Sequence, residues 1–276
     1  MATMQNETKT FRHSGNLGDI IFSLPTIIAL GGGVLYISDG KGKLVRPMSK
    51  TMIGQMIELL KKQPYLSDVR PYNNEKIDYD LDKFRAGYGP GFEIHLAVRH
   101  LTTFGVDFDL SLPWLENIEP LYLNDIVIQN GFRARDIALN WRVLKGFEDK
   151  CVFVGFKHEH RKFQRMTRLK VRFHQLNSIL ELARAIKGAK LFVGNQSLGF
   201  ALAEAMKQPR VLEVSYQEPS GMPQSYNGHI LLTKKIVNYY LKNQHPYRPE
   251  KKSANLMARK RHYLIRKHVK ALLFDK

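Results

Sequence analysis

The sequence predicts an α/β protein of two parallel-sheet units followed by a basic helical tail. Three observations predict it. Two separate stretches, one near the N-terminus and one from residue 125 onward, run strand, glycine-bearing loop, helix, strand. Their strand candidates are continuous apolar runs joined by short connections, the pattern of strands buried on both faces. Between them, Pro113 and Pro120 bracket a stretch where the pattern breaks. The expected divisions are 1–118, 119–245 and a tail over 246–276.

The first unit opens with a strand over Thr8–His13. The loop His13-Ser14-Gly15-Asn16-Leu17-Gly18 leads into a helix over Asp19–Leu30, in which Pro25 is expected to cause a bend or a break. Gly31-Gly32-Gly33 ends that helix, and Val34–Ser38 is a buried strand. A second helix covers Lys50–Lys62, with Met52, Met56, Ile57 and Leu60 on one face, and Pro64 closes it. Tyr65–Gly91 is polar, aromatic and turn-rich, and no element is assigned to it. In the second unit Asp125–Gln129 is a strand that runs out into Asn130-Gly131-Phe132-Arg133-Ala134-Arg135. Val152–Phe156 is a second strand. Ser178-Ile179-Leu180-Glu181 reads as a capping box, opening a helix that Gly188 stops. Lys190–Val193 is then a strand, Leu198–Lys207 a helix and Arg210–Val214 a strand. No repeat has solenoid spacing.

Composition narrows the function. With 276 residues, 43% of them hydrophobic, either unit can bury a core. No apolar run reaches the ~18 residues of a membrane span. The polar stretch Met1–Thr10 lacks a signal core, so a cytoplasmic setting is expected. The single cysteine, Cys151, excludes an internal disulfide and any multi-cysteine metal site, and its place before Val152-Phe153-Val154 predicts burial. The net charge of +18 points to anionic partners. It concentrates in Lys157–Arg172, with seven Lys/Arg against one acid, and in Arg248–Lys276, with ten against two.

Chemistry points to the two glycine loops. A strand-to-helix turn gathers unpaired N–H groups at the positive end of a dipole. Asp19 sits there, able to accept a proton from a hydroxyl or merely to cap its helix. The dinucleotide fingerprint is incomplete: only Gly15 and Gly18 are present, with Asp39 about 20 residues on. In the second unit Gly194 would let a ligand approach the backbone, and Ser197 would cap the next helix with its N–H groups aimed at an anion. Asn195 and Gln196 make this turn more polar than a plain one. Arg133 and Arg135 alternate after the first strand of that unit and suit phosphate oxygens. His158-Glu159-His160 would set two histidines on one side only in a strand, and no third ligand is evident. No metal site and no cofactor are expected.

At these residues the chain resembles a known family. Gly18-Asp19-Ile20-Ile21-Phe22-Ser23-Leu24-Pro25 is similar to the opening stretch of the family 9 glycosyltransferases, the heptosyltransferase-like group. Leu191–Ser197, with Ala203-Glu204-Ala205 and Pro209, resembles the donor loop and following helix of GT-B enzymes. The resemblance implies a shortened GT-B fold: two Rossmann-like domains facing a cleft, the first for the acceptor and the second for a nucleotide-diphosphate sugar. It implies Asp19 as the base toward the acceptor hydroxyl, with Gly15, Asn16 and Gly18 in the acceptor-side loop. It places the donor diphosphate, without a bound metal, on Arg133, Arg135, Gly194, Asn195, Gln196 and Ser197. Heptosyltransferases carry an aspartate, a serine or threonine, and a glycine where this chain has Asn195-Gln196-Ser197, a departure that bears on the sugar and the acceptor.

The implied activity is metal-independent sugar transfer to a glycan or lipid-linked acceptor in cell-surface glycan synthesis, such as lipopolysaccharide assembly. The basic tail would touch the inner membrane surface. A second reading is a nucleic-acid-binding protein on a degenerate scaffold of this fold. It rests on the charge and on Tyr239, Tyr240, Tyr247 and Tyr263 among the basic residues.

Overall fold

The computed structural model describes residues 8–40, 47–86, 95–131, 139–213 and 219–243. These fall into two compact units. The first is drawn from Met1–Tyr88, Leu96–Ile118 and Ser178–Leu180, the second from Gly89–His95, Glu119–Asn177 and Glu181–Lys276. The expected tail, 246–276, lies outside the described residues, as do Arg133 and Arg135.

The first unit is a four-stranded parallel sheet in the order β3-β2-β1-β4. Its strands are β1 (Thr10–His13), β2 (Gly33–Ile37), β3 (Leu66–Pro71) and β4 (Tyr79–Asp80). Helices α1 (Leu17–Ala29), α2 (Lys50–Leu60) and α3 (Leu96–Phe104) belong with it, as does a 3-10 turn over Leu81–Arg85. The expected helix and strand positions hold to within two residues at each end. Phe11, Leu35 and Val69 are buried in the sheet, and Ile20, Leu24 and Ile27 are buried on α1.

Pro25 does not break α1, which runs on to Ala29. A proline lacks the N–H that would bond the carbonyl four residues earlier. That carbonyl, on Ile21, instead accepts from the buried Trp114 indole at 3.0 Å. A side chain from the end of the unit thus replaces the missing backbone donor.

The second unit is a six-stranded parallel sheet in the order β10-β9-β8-β5-β6-β7. Its strands are β5 (Ile126–Gln129), β6 (Cys151–Val154), β7 (Arg172–His174), β8 (Leu191–Asn195), β9 (Arg210–Glu213) and β10 (Gly228–His229). Its helices are α4 (Lys157–Thr167), α5 (Ile179–Gly188), α6 (Leu198–Ala205) and α7 (Lys234–Lys242). Every residue of β6, β8 and β9 is buried. Ile126, Phe153, Phe163, Val193, Val211, Ile236 and Tyr240 share one core.

Cys151 is buried there, and burial pushes its thiol up to about 12, with Glu148 and Asp149 adding to the shift. At the amino end of β9 the buried Arg210 pairs with the buried Glu204, which also accepts from Lys207 at 2.7 Å. Glu204 is therefore bound up in the packing of α6 against β9. No helix of the described residues is long and apolar enough to cross a membrane.

Candidate active site

Each sheet has one point where strand order reverses. In an open parallel sheet the connections leave to opposite sides there, opening a crevice at the carboxyl ends of the two strands. In the first unit that point lies between β1 and β4. The residues following β1 and β4 are Ser14-Gly15-Asn16 and the turn Leu81–Arg85.

Asp19 stands in the first turn of α1, with its side chain 17% exposed. Its Oδ2 accepts from Arg85 Nη2 at 2.9 Å and from the Asn16 amide at 3.3 Å. Asn16, at the N-cap, makes no side-chain cap bond. Burial pushes the Asp19 carboxyl up; Arg85 and Asn16 pull it down, Asp82 adds to the upward push, and the outcome is a raised value.

Arg85 also donates Nη1 to Asp82 at 2.5 Å. Asp82 further accepts the Ser14 N–H at 3.1 and 3.2 Å and the Ser14 hydroxyl. Burial pushes the Asp82 carboxyl up, but the Ser14 hydroxyl and N–H and the Arg85 guanidinium hold it below its ordinary value. His13 is fully buried, and burial lowers it to about 3, so its ring is neutral. Nδ1 accordingly accepts from the Gly15 N–H at 2.8 Å.

Gly15 has a reason that the glycine loop alone does not give. A Cβ there would collide with the Arg85 guanidinium and the His13 ring, so only glycine lets Arg85 pass over the backbone to Asp19. The carboxyl end of β1 thus brings together Gly15, Asn16 and Asp19, with Gly18 one position before the acid in α1. The structure adds Asp82 and Arg85, which fall in the stretch where no element was assigned. Their signal is local: an acid, two residues and a basic residue directly after a short strand. Asp39 is exposed beyond β2.

In the second unit the order reverses between β5 and β8. Here the structure gives the expected donor-loop residues local partners. A Cβ at Gly194 would meet the Gln129 carbonyl and the Phe192 ring. Gly194 thus serves the close approach of β8 to β5. Ser197 does hold the N-cap position of α6, but its side chain makes no cap bond. Its hydroxyl donates to Gln129 Oε1 at 3.1 Å, and the same oxygen takes the Gly199 N–H at 3.0 Å. Gln129 thus does the capping and closes one of the N–H groups that was to face an anion. Asn195 is buried and uses its side chain to fasten the Gly131 backbone, accepting at 3.1 Å and donating at 3.4 Å. Gln196 Oε1 is shielded from solvent and has no hydrogen-bond partner among the described residues. Asn130 donates to the buried Glu213 beside this floor.

His158-Glu159-His160 lies on α4 and not on a strand, so its two rings diverge. His160 contacts the Val171 carbonyl at 2.7 Å, His158 stacks on Phe156, and Glu159 accepts the Phe156 N–H. Among the described residues no three His, Cys, Asp or Glu side chains gather as a metal-holding group. The aromatic residues of the nucleic-acid reading are also reassigned. Tyr240 is buried in the core and contacts His229 at 2.9 Å, and Tyr239 packs against that core; Tyr247 and Tyr263 lie outside the described residues.

No protein-family model and no curated protein matches the sequence. Solved structures do match. The family 9 glycosyl transferase of Veillonella parvula DSM 2008 is 13% identical, with 86% of this chain and 89% of that one covered at a TM-score of 0.55. The E. coli heptosyltransferase WaaC, solved with ADP, is 13% identical over 86% of this chain and 99% of its own, at 0.54. The E. coli ADP-heptose LPS heptosyltransferase II gives 12%, 86%, 98% and 0.53.

The chain has the fold of the family 9 glycosyltransferases. At these identities the likeness speaks for the fold, the α/β architecture of parallel sheets that the sequence predicts. In the glycosyltransferase fold so assigned, the loop carrying Asp19 follows the first strand of the first sheet, and the turn over 194–197 follows β8 of the second.

Proposed function

We propose that the chain is a glycosyltransferase that moves a sugar from a nucleotide-diphosphate donor to an acceptor hydroxyl without a metal ion. One observation carries the reading: a partly exposed carboxylate, Asp19, in the switch-point crevice of a glycosyltransferase fold, held on one oxygen by Arg85. The solved relatives support the class of donor, since WaaC was solved with ADP and its neighbour is named for ADP-heptose.

In this reading Asp19 takes the proton of the acceptor hydroxyl. The acceptor oxygen forms a bond to the anomeric carbon as the bond from that carbon to the diphosphate oxygen breaks. The nucleoside diphosphate leaves with the electron pair. Positive charge from Arg133 and Arg135, which follow β5, stabilises it together with the backbone of Gly194–Ser197. Gln129 already occupies part of the α6 N-terminus, so the two arginines carry the larger share of that stabilisation. The expected acceptor is a glycan or lipid-linked hydroxyl in cell-surface glycan synthesis, met at the cytoplasmic face of a membrane by the basic residues 246–276.

Calorimetry and thermal melting against nucleoside diphosphates and their sugars, in EDTA and in magnesium, test the donor class. A ligand that binds only the folded state stabilises it by about 2.7 kcal/mol at a hundredfold excess over Kd. A nucleoside diphosphate is expected to raise Tm equally well in EDTA, and Arg133→Ala to weaken its binding. No shift with any nucleotide, or one that requires magnesium, contradicts the reading.

A further inference from the structure

Asp19 and Asp82 share one guanidinium. Arg85 reaches Asp19 through Nη2 and Asp82 through Nη1. Its Cζ lies 4.3 Å from the centre of the Phe84 ring. Gly15 clears its path, and Ser14 ties Asp82 down with its N–H and its hydroxyl. The fork is thus fixed on its far side before it meets Asp19. A planar guanidinium can bridge two carboxylates in this way, whereas an ammonium is a single point of charge.

We propose that Arg85, locked by Asp82, is the positioning residue of Asp19, fixing which carboxylate oxygen is free to take a proton and balancing its charge. The inference rests on the reading of Asp19 as proton acceptor. Both bonds to Asp19 fall on Oδ2, so Oδ1 is the oxygen left to the acceptor. Burial works against an ionised Asp19, and Arg85 is the nearest opposing charge. The other charged or titratable groups of the crevice do not replace it. Asp82 is a like charge, Arg12 is engaged with Asp80 at 3.2 Å, and His13 and His100 are buried and neutral.

The test is a carbon-13 NMR titration of the aspartate carboxyls in the whole protein, with Asp19→Asn assigning the signal. In Arg85→Gln the Asp19 midpoint is expected to rise by about one pH unit or more, the effect of an opposite charge at contact distance. The acid limb of the kcat profile should move with it while KM for the donor stays put, and kcat at neutral pH should fall on the order of tenfold or more. Arg85→Lys keeps the charge and loses the fork; it should return the midpoint but not the rate. An unchanged midpoint in an Arg85→Gln protein that melts like the wild type overturns the proposal. If Arg85→Gln does not fold, wild-type kcat in Arg85→Lys overturns it. A wild-type protein that transfers no sugar sinks the function and leaves the titration still able to decide the clamp.

Discussion

His100 shows what a buried side chain without hydrogen bonds does to stability. It is fully buried, its ring stacks on Phe84 at 4.0 Å, and neither nitrogen has a hydrogen-bond partner among the described residues. Burial lowers it well below 6.5, lowers His13 to about 3 and lowers His229 to about 4. Below pH ~6.5 the unfolded chain binds protons that the folded one refuses, so stability is full above that pH and falls as acid is added toward the folded values. Each such histidine adds to the loss of stability between pH 7 and 5. His100→Phe keeps the stacking and removes one of these groups. Urea unfolding at the two pH values should show that variant losing less stability than the wild type; an equal loss would mean that the ring is hydrated or protonated in the fold. The same scale shows what the sequence could reveal. Asp19 is legible because an acid after a glycine loop at a helix start has few roles. Arg85 and Asp82 are not, because they follow a two-residue strand too short to show a period. Gly15 is legible as a loop glycine, yet its reason, the passage of Arg85, lies 70 residues away in the chain.

At the scale of elements, α1 depends on a donor from outside itself. The Ile21 carbonyl lies four residues before Pro25, which has no N–H to offer it, and it accepts from Trp114. Trp114→Phe leaves that carbonyl bare, at a cost of about 1–3 kcal/mol beyond lost packing. In a Pro25→Ala background the new N–H can bond Ile21, so the penalty of Trp114→Phe should shrink by a similar amount. A double-mutant cycle in urea measures this, and full additivity would show that the indole contributes only volume. Pro25 is legible as a disturbance of the helix, but the compensating donor is not, since nothing in the local sequence names Trp114, 93 positions after Ile21. The opposite case is α4. Its run of basic residues hides an amphipathic period, with only Phe163 buried, and the His-Glu-His run then reads as a strand question when it is a helix. The turn at the end of β8 shows polar residues in the sequence; their partners, Gln129 and Gly131, come from the end of β5 and the residues just after it.

For the whole molecule, two parallel sheets with one order reversal each account for where chemistry can occur. The repeated strand-loop-helix pattern made that architecture readable, because apolar runs and glycine loops are local properties of the chain. On the proposed function the chemistry belongs to what stands at the reversals, and the first holds the Asp19 carboxyl braced by Arg85. The most direct measurement is transfer by Asp19→Asn with a nucleotide-diphosphate sugar whose binding has been established. The account predicts unchanged melting, unchanged donor affinity and a kcat lower by on the order of 10² or more, the loss expected when a general base is removed. Wild-type turnover in that variant would contradict it.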